Sequence, residues 1–247
     1  MIKFFRQFRK NIIMKNQRGK YLKYAIGEIV LVVIGILIAL QVSNWNTNRL
    51  AAKEEQKTLK SIHAEFIKNQ KVLNISSTEN KNSAETGRYL MNLINRDVAY
   101  LKTQNTDSLI FKVFENGDMN VTENSILELL QSGKLGNLKN EQLKSLIFEW
   151  TQKKNKADTG RRNMEEKGTY LVNYLTKKYP LKNIDAYGIL KWKNPSRLKV
   201  NKYQIFYDLE FENIIDDFLY NLVNYNIRIK NLQETVKSII ENTKTTE

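Results

Sequence analysis

The chain has 247 residues and a formal net charge of +14, with no cysteine and a single histidine, His63. The absence of thiols excludes disulfides, thiolate metal sites and cysteine nucleophiles. One histidine argues against a His-rich zinc site or a Ser-His-Asp triad, and no phosphate-binding glycine loop or nucleophile elbow occurs. We therefore expect no enzyme activity, no cofactor and no metal.

The N-terminal tail, residues 1–23, contains eight basic residues and no acidic one. Cytoplasmic flanks of membrane spans carry an excess of Lys and Arg, so this tail is expected in the cytoplasm. Residues 1–14 fit either a basic amphipathic helix on the membrane surface or a disordered basic tail. We favour the tail because Arg9 falls within the apolar face.

The tail also explains most of the basicity of the chain. After position 42 the sequence holds 32 basic and 25 acidic residues, which leaves a charge of only +7. The charge excess therefore argues little for nucleic acid. We expect membrane lipid as a partner and no nucleic acid.

An apolar segment follows at Tyr24–Val42. At 1.5 Å per residue its 19 residues span about 28 Å, close to the hydrocarbon thickness of a bilayer. A cleaved signal peptide and a buried core helix are the alternatives. The first is disfavoured because the segment is long and no Ala-x-Ala site follows, the second by length and one-sided charge. The sequence therefore predicts one transmembrane helix at 24–42, with residues 43–247 facing outward.

Glu28 interrupts the apolar segment. It lies about one turn inside the cytoplasmic end, so one interpretation is that its carboxylate reaches the interface by snorkelling. The other is that it shares a helix face with Gly35 and Ala39, a small-xxx-small pair that lets a second helix approach closely. Glu28, Gly35 and Ala39 form the candidate membrane-helix interface, and we expect a second copy or another envelope protein as partner.

The outward-facing part is predicted to be helical. A 3-4-3-4 apolar seam begins at Leu59, and the pattern Asn120–Glu123 resembles a capping box that starts a helix ended by Gly133. Asn140 is expected to cap a longer helix that ends at Pro180. The first seam comprises Leu59, Ile62, Phe66, Asn69 and Leu73.

The C-terminal segment, about 207–243, has the clearest pattern. Steps of four and three repeat without a miss from Phe211 to Ile239, which predicts one long helix with a continuous seam. It is expected to pack antiparallel to the helix that leaves the membrane, with pairing between molecules as the alternative. The predicted fold is all-α: a transmembrane helix followed by an extramembrane antiparallel bundle with long, coiled-coil-like helices.

The stretch 176–202 is the irregular part of this domain, because it contains both prolines. Its basic and aromatic residues could bind a polyanion, a glycan or lipid headgroups. The interpretation we favour is a loop that packs its tryptophan and tyrosines on the bundle and turns its lysines to water. The candidate anionic-ligand patch consists of Lys191, Trp192, Lys193, Arg197 and Lys199.

The segment Lys23–Gln41, KYAIGEIVLVVIGILIALQ, continues into Asn44-Trp45-Asn46 and resembles the opening of a Bacteroidota family of single-span membrane proteins, domain of unknown function family 6090. Residues 129–136, LLQSGKLG, are similar to the mid-chain turn of that family. The resemblance implies an inner-membrane anchor and a periplasmic helical domain in a Gram-negative envelope. It implies no reaction, since the family has no assigned activity.

Together these features predict an interaction or scaffold protein of the cell envelope. The alternative is a ligand-sensing module that signals through a partner, because the short tail leaves no room for an output domain. A hydrolase would need clustered polar residues that the sequence does not display. A buried polar pocket would favour a sensor or an enzyme, whereas an apolar core would favour a scaffold.

Overall fold

The computed structural model describes residues 18–244, and side chains from Leu22 onward. It is all-α, as predicted, with no strand in that range. Residues 1–14, for which a disordered basic tail was favoured over a surface helix, lie outside the described residues. The α-helices are α1 (Arg18–Met91), α2 (Val98–Thr103), α3 (Thr106–Phe114), α4 (Asn124–Gln131), α5 (Glu141–Lys178), α6 (Leu181–Asp185) and α7 (Leu209–Asn242), with 3-10 turns at Lys134–Asn137 and Lys202–Tyr207.

The chain divides into two units, which meet in sequence at Gln56 and Lys57. In the first unit every large apolar side chain between Leu22 and Val42 is exposed. Within the described residues, helix α1 is the one helix long and apolar enough to cross a membrane. The compact second unit starts at Lys57, and its first fully buried core side chain is Ile62. The end of the membrane span at 42 and the start of the outer domain at 43 stay predictions.

The second unit is built on three long helices: α1 from Lys57 to Met91, α5 and α7. His63 Nδ1 lies 3.0 Å from Thr243 Oγ1, and Gln233 Nε2 donates to Asn74 Oδ1 over 2.8 Å. Residue numbers increase along α1 while they decrease along the facing part of α7, so the two helices are antiparallel. This confirms the predicted antiparallel packing within one chain.

Helix α5 is antiparallel to α7 as well. Asn140 Nδ2, just before α5, donates to Asn242 Oδ1 over 3.1 Å. At the opposite end of the bundle, Tyr174 OH donates to Asp208 Oδ2 over 2.8 Å. Helices α1 and α5 consequently run parallel to each other in this unit.

The core lies between the three long helices. The ring of Phe66 on α1 meets Trp150 on α5 edge to face, with centroids 4.8 Å apart. Such aromatic pairs contribute about 0.5–1.5 kcal/mol beyond their buried area. Every predicted seam residue of α7 is at most 1 % exposed: Phe211, Ile215, Phe218, Leu222, Tyr225, Ile229, Leu232, Val236 and Ile239.

Because α1 and α5 are parallel, the chain must travel back along the bundle between them. Residues 92–140, here called the return segment, form this connection and comprise α2, α3, an extended stretch and α4. Asn69 on α1 holds the extended stretch by a pair of hydrogen bonds to Thr122: its Nδ2 donates to the carbonyl over 2.7 Å, and its Oδ1 accepts from the amide over 2.9 Å. The polar position of the predicted α1 seam is therefore an attachment point.

Gly117 lies where the backbone of the return segment crosses close to that of α1. A Cβ atom there would lie 2.5 Å from Ser76 Cα and 2.6 Å from Ser76 O, so a side chain cannot be accommodated without moving backbone. The amide of Gly117 donates to Asn80 Oδ1 over 2.8 Å. Glycine is required here by the close approach of two backbones.

The start of α4 corrects one prediction. The capping box at Asn120–Glu123 is wrong, because α4 begins at Asn124 with Glu123 at the N-cap position, and the Glu123 side chain makes no cap bond. The amides of Asn124 and Ser125 instead donate to the carboxylate of Glu65 on α1, over 2.8 and 2.9 Å. A carboxylate at a helix N-terminus is stabilised by the free amides and by the helix dipole.

The other predicted helix boundaries agree with the structure. Gly133 has a φ of +68° immediately after α4, and Asn140 Oδ1 accepts from the amide of Leu143 over 3.0 Å at the start of α5. Helix α5 ends at Lys178, two residues before Pro180. Helix α7 begins at Leu209 and ends at Asn242, against predicted bounds of about 207 and 243.

Candidate functional site: interaction surfaces

The buried polar side chains of the bundle attach one segment to another. Ser83 Oγ on α1 donates to the carbonyl of Val113, and the hydroxyls of Thr106 and Tyr179 lie 3.0 Å apart. Thr243 Oγ1 donates to the carbonyl of Ile239 over 2.8 Å. Within residues 18–244 no group of three or more Asp, Glu or His residues could hold a metal ion. These hydroxyl groups thus stabilise the fold, whereas the buried Ser76 Oγ and Tyr225 OH have no hydrogen-bond partner among the described residues.

A shallow groove of about 500 Å³ lies between α5 and α7. Arg228 crosses α5 at Gly160, where a Cβ would lie 2.9 Å from Arg228 Cδ, and its Nη1 donates to the carbonyl of Lys156 over 2.6 Å. The groove carries three basic side chains and no carboxylate among its lining residues. These residues are Lys153, Asn155, Lys156, Thr159, Arg228 and Asn231.

Part of this positive charge is already compensated. Lys153 Nζ lies 2.6 Å from Glu149 Oε1, and this hydrogen bond holds the pKa of Glu149 below its usual value. Lys153 also donates to Thr235 Oγ1 over 3.0 Å. The groove therefore offers mainly Lys156 and Arg228 to a small anion.

The candidate anionic-ligand patch lies in an irregular segment, residues 186–201, here called the apolar–basic loop. All five predicted residues of the patch are exposed: Lys191, Trp192, Lys193, Arg197 and Lys199. The aromatic side chains were predicted to pack on the bundle. Tyr174 and Tyr179 are buried as predicted, but Trp192 is 48 % exposed. Lys182 Nζ lies 5.4 Å from the centre of the Trp192 ring.

Sequence reasoning missed the aliphatic half of this loop. Ile189 is 96 % exposed and Leu198 is 78 % exposed, and Leu190 and Val200 are exposed beside them. The available signal was the position of these apolar residues in a proline-containing stretch with neither helix nor strand periodicity. Such residues have no regular core face to which they could belong.

A charged network fixes the chain beside the loop. Asp107 at the start of α3 accepts from Tyr179 OH over 2.5 Å and from Lys202 Nζ over 2.7 Å. Burial, and then the bond to Asp107, raise the pKa of Tyr179 above its usual value. The network joins the return segment to the end of α5 and to the chain that follows the loop.

A second network lies at the junction of α5 and α7. The hydrogen bond from Tyr174 lowers the pKa of Asp208, and Lys178 Nζ, 3.6 Å away, acts in the same direction. Asp208 Oδ1 also accepts from the amide of Glu210, which caps α7. The carboxylate of Asp208 thus caps α7 and also binds the side chains of Tyr174 and Lys178 on α5.

The candidate membrane-helix interface lies on the exposed part of α1. Glu28, Gly35 and Ala39 are all helical and exposed. Their spacing places them within about 40° of one another around the helix axis. A Cβ built at Gly35 would meet no atom within 4 Å, so this face is open to a second helix.

No protein-family model, curated protein or solved structure matches this chain. The resemblance to the Bacteroidota family therefore stays a prediction, and the functional argument rests on the surfaces described above.

Proposed function

We propose that this chain is an interaction scaffold of a Gram-negative cell envelope, anchored in the inner membrane by one helix. The basic tail lies in the cytoplasm and the bundle lies in the periplasm. The bundle presents surfaces to other envelope components and performs no chemistry of its own. The resemblance of the N-terminal segment to a family of inner-membrane anchors agrees with this placement.

One observation carries the proposal: in the described residues, three buried polar side chains of α1 hold the return segment in place. Asn69, Asn80 and Ser83 all attach the return segment to α1. Catalytic and ligand sites usually need several polar groups converging on a cavity. A core used in this way supports an interaction protein over an enzyme.

The membrane topology is tested with single cysteines, since the natural chain has none. Lys15→Cys reports on the tail and Lys237→Cys, exposed on α7, reports on the bundle. In spheroplasts an impermeant maleimide should label Lys237→Cys at once and Lys15→Cys only after permeabilisation. The opposite pattern contradicts the proposed orientation.

The scaffold role is tested by purifying the tagged full chain from crosslinked membranes and identifying its partners by mass spectrometry. We expect a reproducible stoichiometric partner, or a second copy of the chain. Recovery of the chain alone, at the level of a tag-only control, contradicts the scaffold role.

Self-association through the membrane helix is tested separately. Gly35→Leu and Glu28→Leu should lower the dimer fraction measured by light scattering in detergent, because both change the proposed contact face. Val33→Leu, about 120–160° around the helix from Glu28, Gly35 and Ala39, is the control. Equal dimer fractions in all variants exclude this face as a contact between copies.

The groove between α5 and α7 favours a second candidate, a sensor of small anions. Lys156 and Arg228 line it without a carboxylate beside them in the lining. The sensor would bind inorganic phosphate or a small dicarboxylate saturably, and Arg228→Ala would abolish binding in calorimetry. Absence of any heat from the natural chain contradicts this candidate.

A further inference from the structure

The apolar–basic loop exposes bulky aliphatic side chains to an unusual degree. Ile189 and Leu198 are the two most exposed large apolar side chains among the described residues, at 96 % and 78 %. Leu190, Trp192 and Val200 are exposed in the same segment. Single exposed apolar residues are common on soluble domains, whereas five of them within one short segment favour a binding surface.

The exposure is not the result of a loose loop, since contacts on both sides of it hold the backbone. Asn183 Oδ1 on α6 accepts from the amide of Ser196 over 2.8 Å. Tyr187 OH accepts from Asn105 Nδ2 over 2.6 Å, and its ring lies 6.4 Å from that of Phe111. The fold thus presents Ile189 and Leu198 from a fixed base.

The charges of the loop all have one sign. Residues 186–201 contain four basic side chains, at Lys191, Lys193, Arg197 and Lys199, and no acidic one. All four are exposed, and Lys182 adds a cation beside the Trp192 ring. A partner must therefore be anionic and must also accept apolar side chains.

We propose that the apolar–basic loop docks on the surface of an anionic lipid bilayer. Ile189, Leu198 and Trp192 enter the boundary between headgroups and acyl chains, where aliphatic and indole side chains partition favourably. The four basic side chains lie at the lipid phosphates and gain from the negative surface potential. A bilayer is the occupant that offers negative charge and hydrocarbon together without shaped pockets.

The test uses the full chain in nanodiscs of neutral lipid, which surround its apolar helix with hydrocarbon. These nanodiscs are then mixed with separate lipid vesicles. Vesicles with about one third anionic lipid should carry the nanodiscs to the top of a density gradient. Vesicles of phosphatidylcholine alone should bind at least tenfold less. No flotation with anionic vesicles, or equal flotation with neutral ones, overturns the proposal.

Two variants separate the electrostatic and apolar contributions. Lys191→Glu/Lys193→Glu/Lys199→Glu and Ile189→Ser/Leu198→Ser should each weaken flotation at least tenfold, since the side chains are exposed and the core is untouched. The control Lys68→Glu/Lys71→Glu/Lys237→Glu makes the same charge change at exposed positions on α1 and α7. Equal losses in the control and the loop variants indicate a general charge effect and overturn the proposal.

Insertion is read directly from Trp192. In a Trp45→Phe background the remaining tryptophans are Trp192 and Trp150, and Trp150 is fully buried. Brominated acyl chains in the vesicles should therefore quench Trp192. Flotation without quenching excludes the proposed insertion. If nanodiscs associate with one another, and Ile189→Ser/Leu198→Ser abolishes that association, the occupant of the loop is a second copy of the chain and the proposal is overturned.

Discussion

Single residues fix how the return segment lies on α1. The side-chain amides of Asn69 and Asn80 bond to the backbone of its extended stretch, which has no helical hydrogen bonds of its own. Buried backbone amides and carbonyls must be paired, and an extended stretch beside a helix has few other means to achieve this. Gly117 supplies the remaining requirement, which is space.

Gly117→Ala should destabilise the bundle by about 1–3 kcal/mol, because the new methyl group overlaps the backbone at Ser76. The measurement is the denaturation midpoint followed by the fluorescence of buried Trp150. Gly136→Ala is the matched control, since a Cβ there meets no atom within 4 Å, and it should change stability by less than about 0.5 kcal/mol. Equal midpoints for both variants contradict the close approach.

Asp208 gives the bundle a dependence on pH at the acid end. Its pKa in the folded chain is lowered, chiefly by the hydrogen bond from Tyr174. The stabilisation is therefore complete above the unfolded pKa of about 3.9, and is lost as the pH falls through the folded pKa.

Tyr174→Phe should cost about 1 kcal/mol at pH 7 through the lost hydrogen bond. The natural chain and the variant should then converge in stability as the pH falls below the folded pKa of Asp208. Urea titrations across the acid range measure this, with exposed Tyr220→Phe as the control. A stability difference that does not depend on pH would show that Tyr174 acts by packing alone.

At the scale of elements, the bundle joins helices by side chains that are distant in sequence. Glu65 on α1 caps α4 across 59 residues, and the 3-10 turns and short helices pack around the long ones. Short helices such as α4 are marginal alone, so their stability depends on such contacts.

Glu65→Ala should destabilise α4 by about 1 kcal/mol, since two amides lose a charged acceptor at a helix N-terminus. Hydrogen exchange should accelerate severalfold in residues 124–131 and stay unchanged in the middle of α7. Glu85→Ala removes an exposed carboxylate of α1 whose pair with Lys81 is 3.8 Å long, and it should change nothing measurable. Unchanged exchange in α4 would show that the cap contributes no stability.

Features that depend on the local spacing of apolar residues were predictable from the sequence. Features that depend on a contact with a residue distant in sequence were not. The α7 seam was predictable residue by residue, because steps of three and four are a local property of a helix. The cap of α4 was misassigned, because Asn120–Glu123 has the composition of a capping box and nothing in the sequence indicates that Glu65 arrives from α1. The polar Asn69 was visible as an exception in its seam, but its partner Thr122 was not.

The candidate surfaces were predicted unevenly for the same reason. The positions of Lys191 and Lys193 in an irregular, proline-containing stretch indicated exposure correctly. Composition does not reveal which aromatic residues of that stretch are buried. Tyr179 is buried and donates a hydrogen bond to Asp107, whereas Trp192 is exposed. Tertiary contacts decide which ring finds a partner.

For the whole molecule, the two units differ in what they bury. The described core residues all lie at Ile62 or later, and the described part of the first unit buries none. About 190 residues are enough to bury a core of their own.

A chain of residues 57–247 should therefore fold without the first unit and stay in solution without detergent. Circular dichroism should show a helical protein, and thermal unfolding should be a single cooperative transition. Ile62→Ala in the same chain should lower the transition temperature, since it opens a cavity in the core. A chain that aggregates or melts without cooperativity would show that the core needs residues 1–56.

The pairing of α1 with α7 has a consequence for biogenesis. His63 and Thr243 are 180 residues apart, so the seam of α1 waits for its partner until the last part of the chain is made. At translation rates of roughly 5–20 residues per second, the wait is about 10–40 s. During that interval Ile62, Phe66 and Leu73 lack the helix that covers them. A ribosome that stops before α7 therefore releases a chain with an unpaired apolar seam, which cellular quality control can recognise.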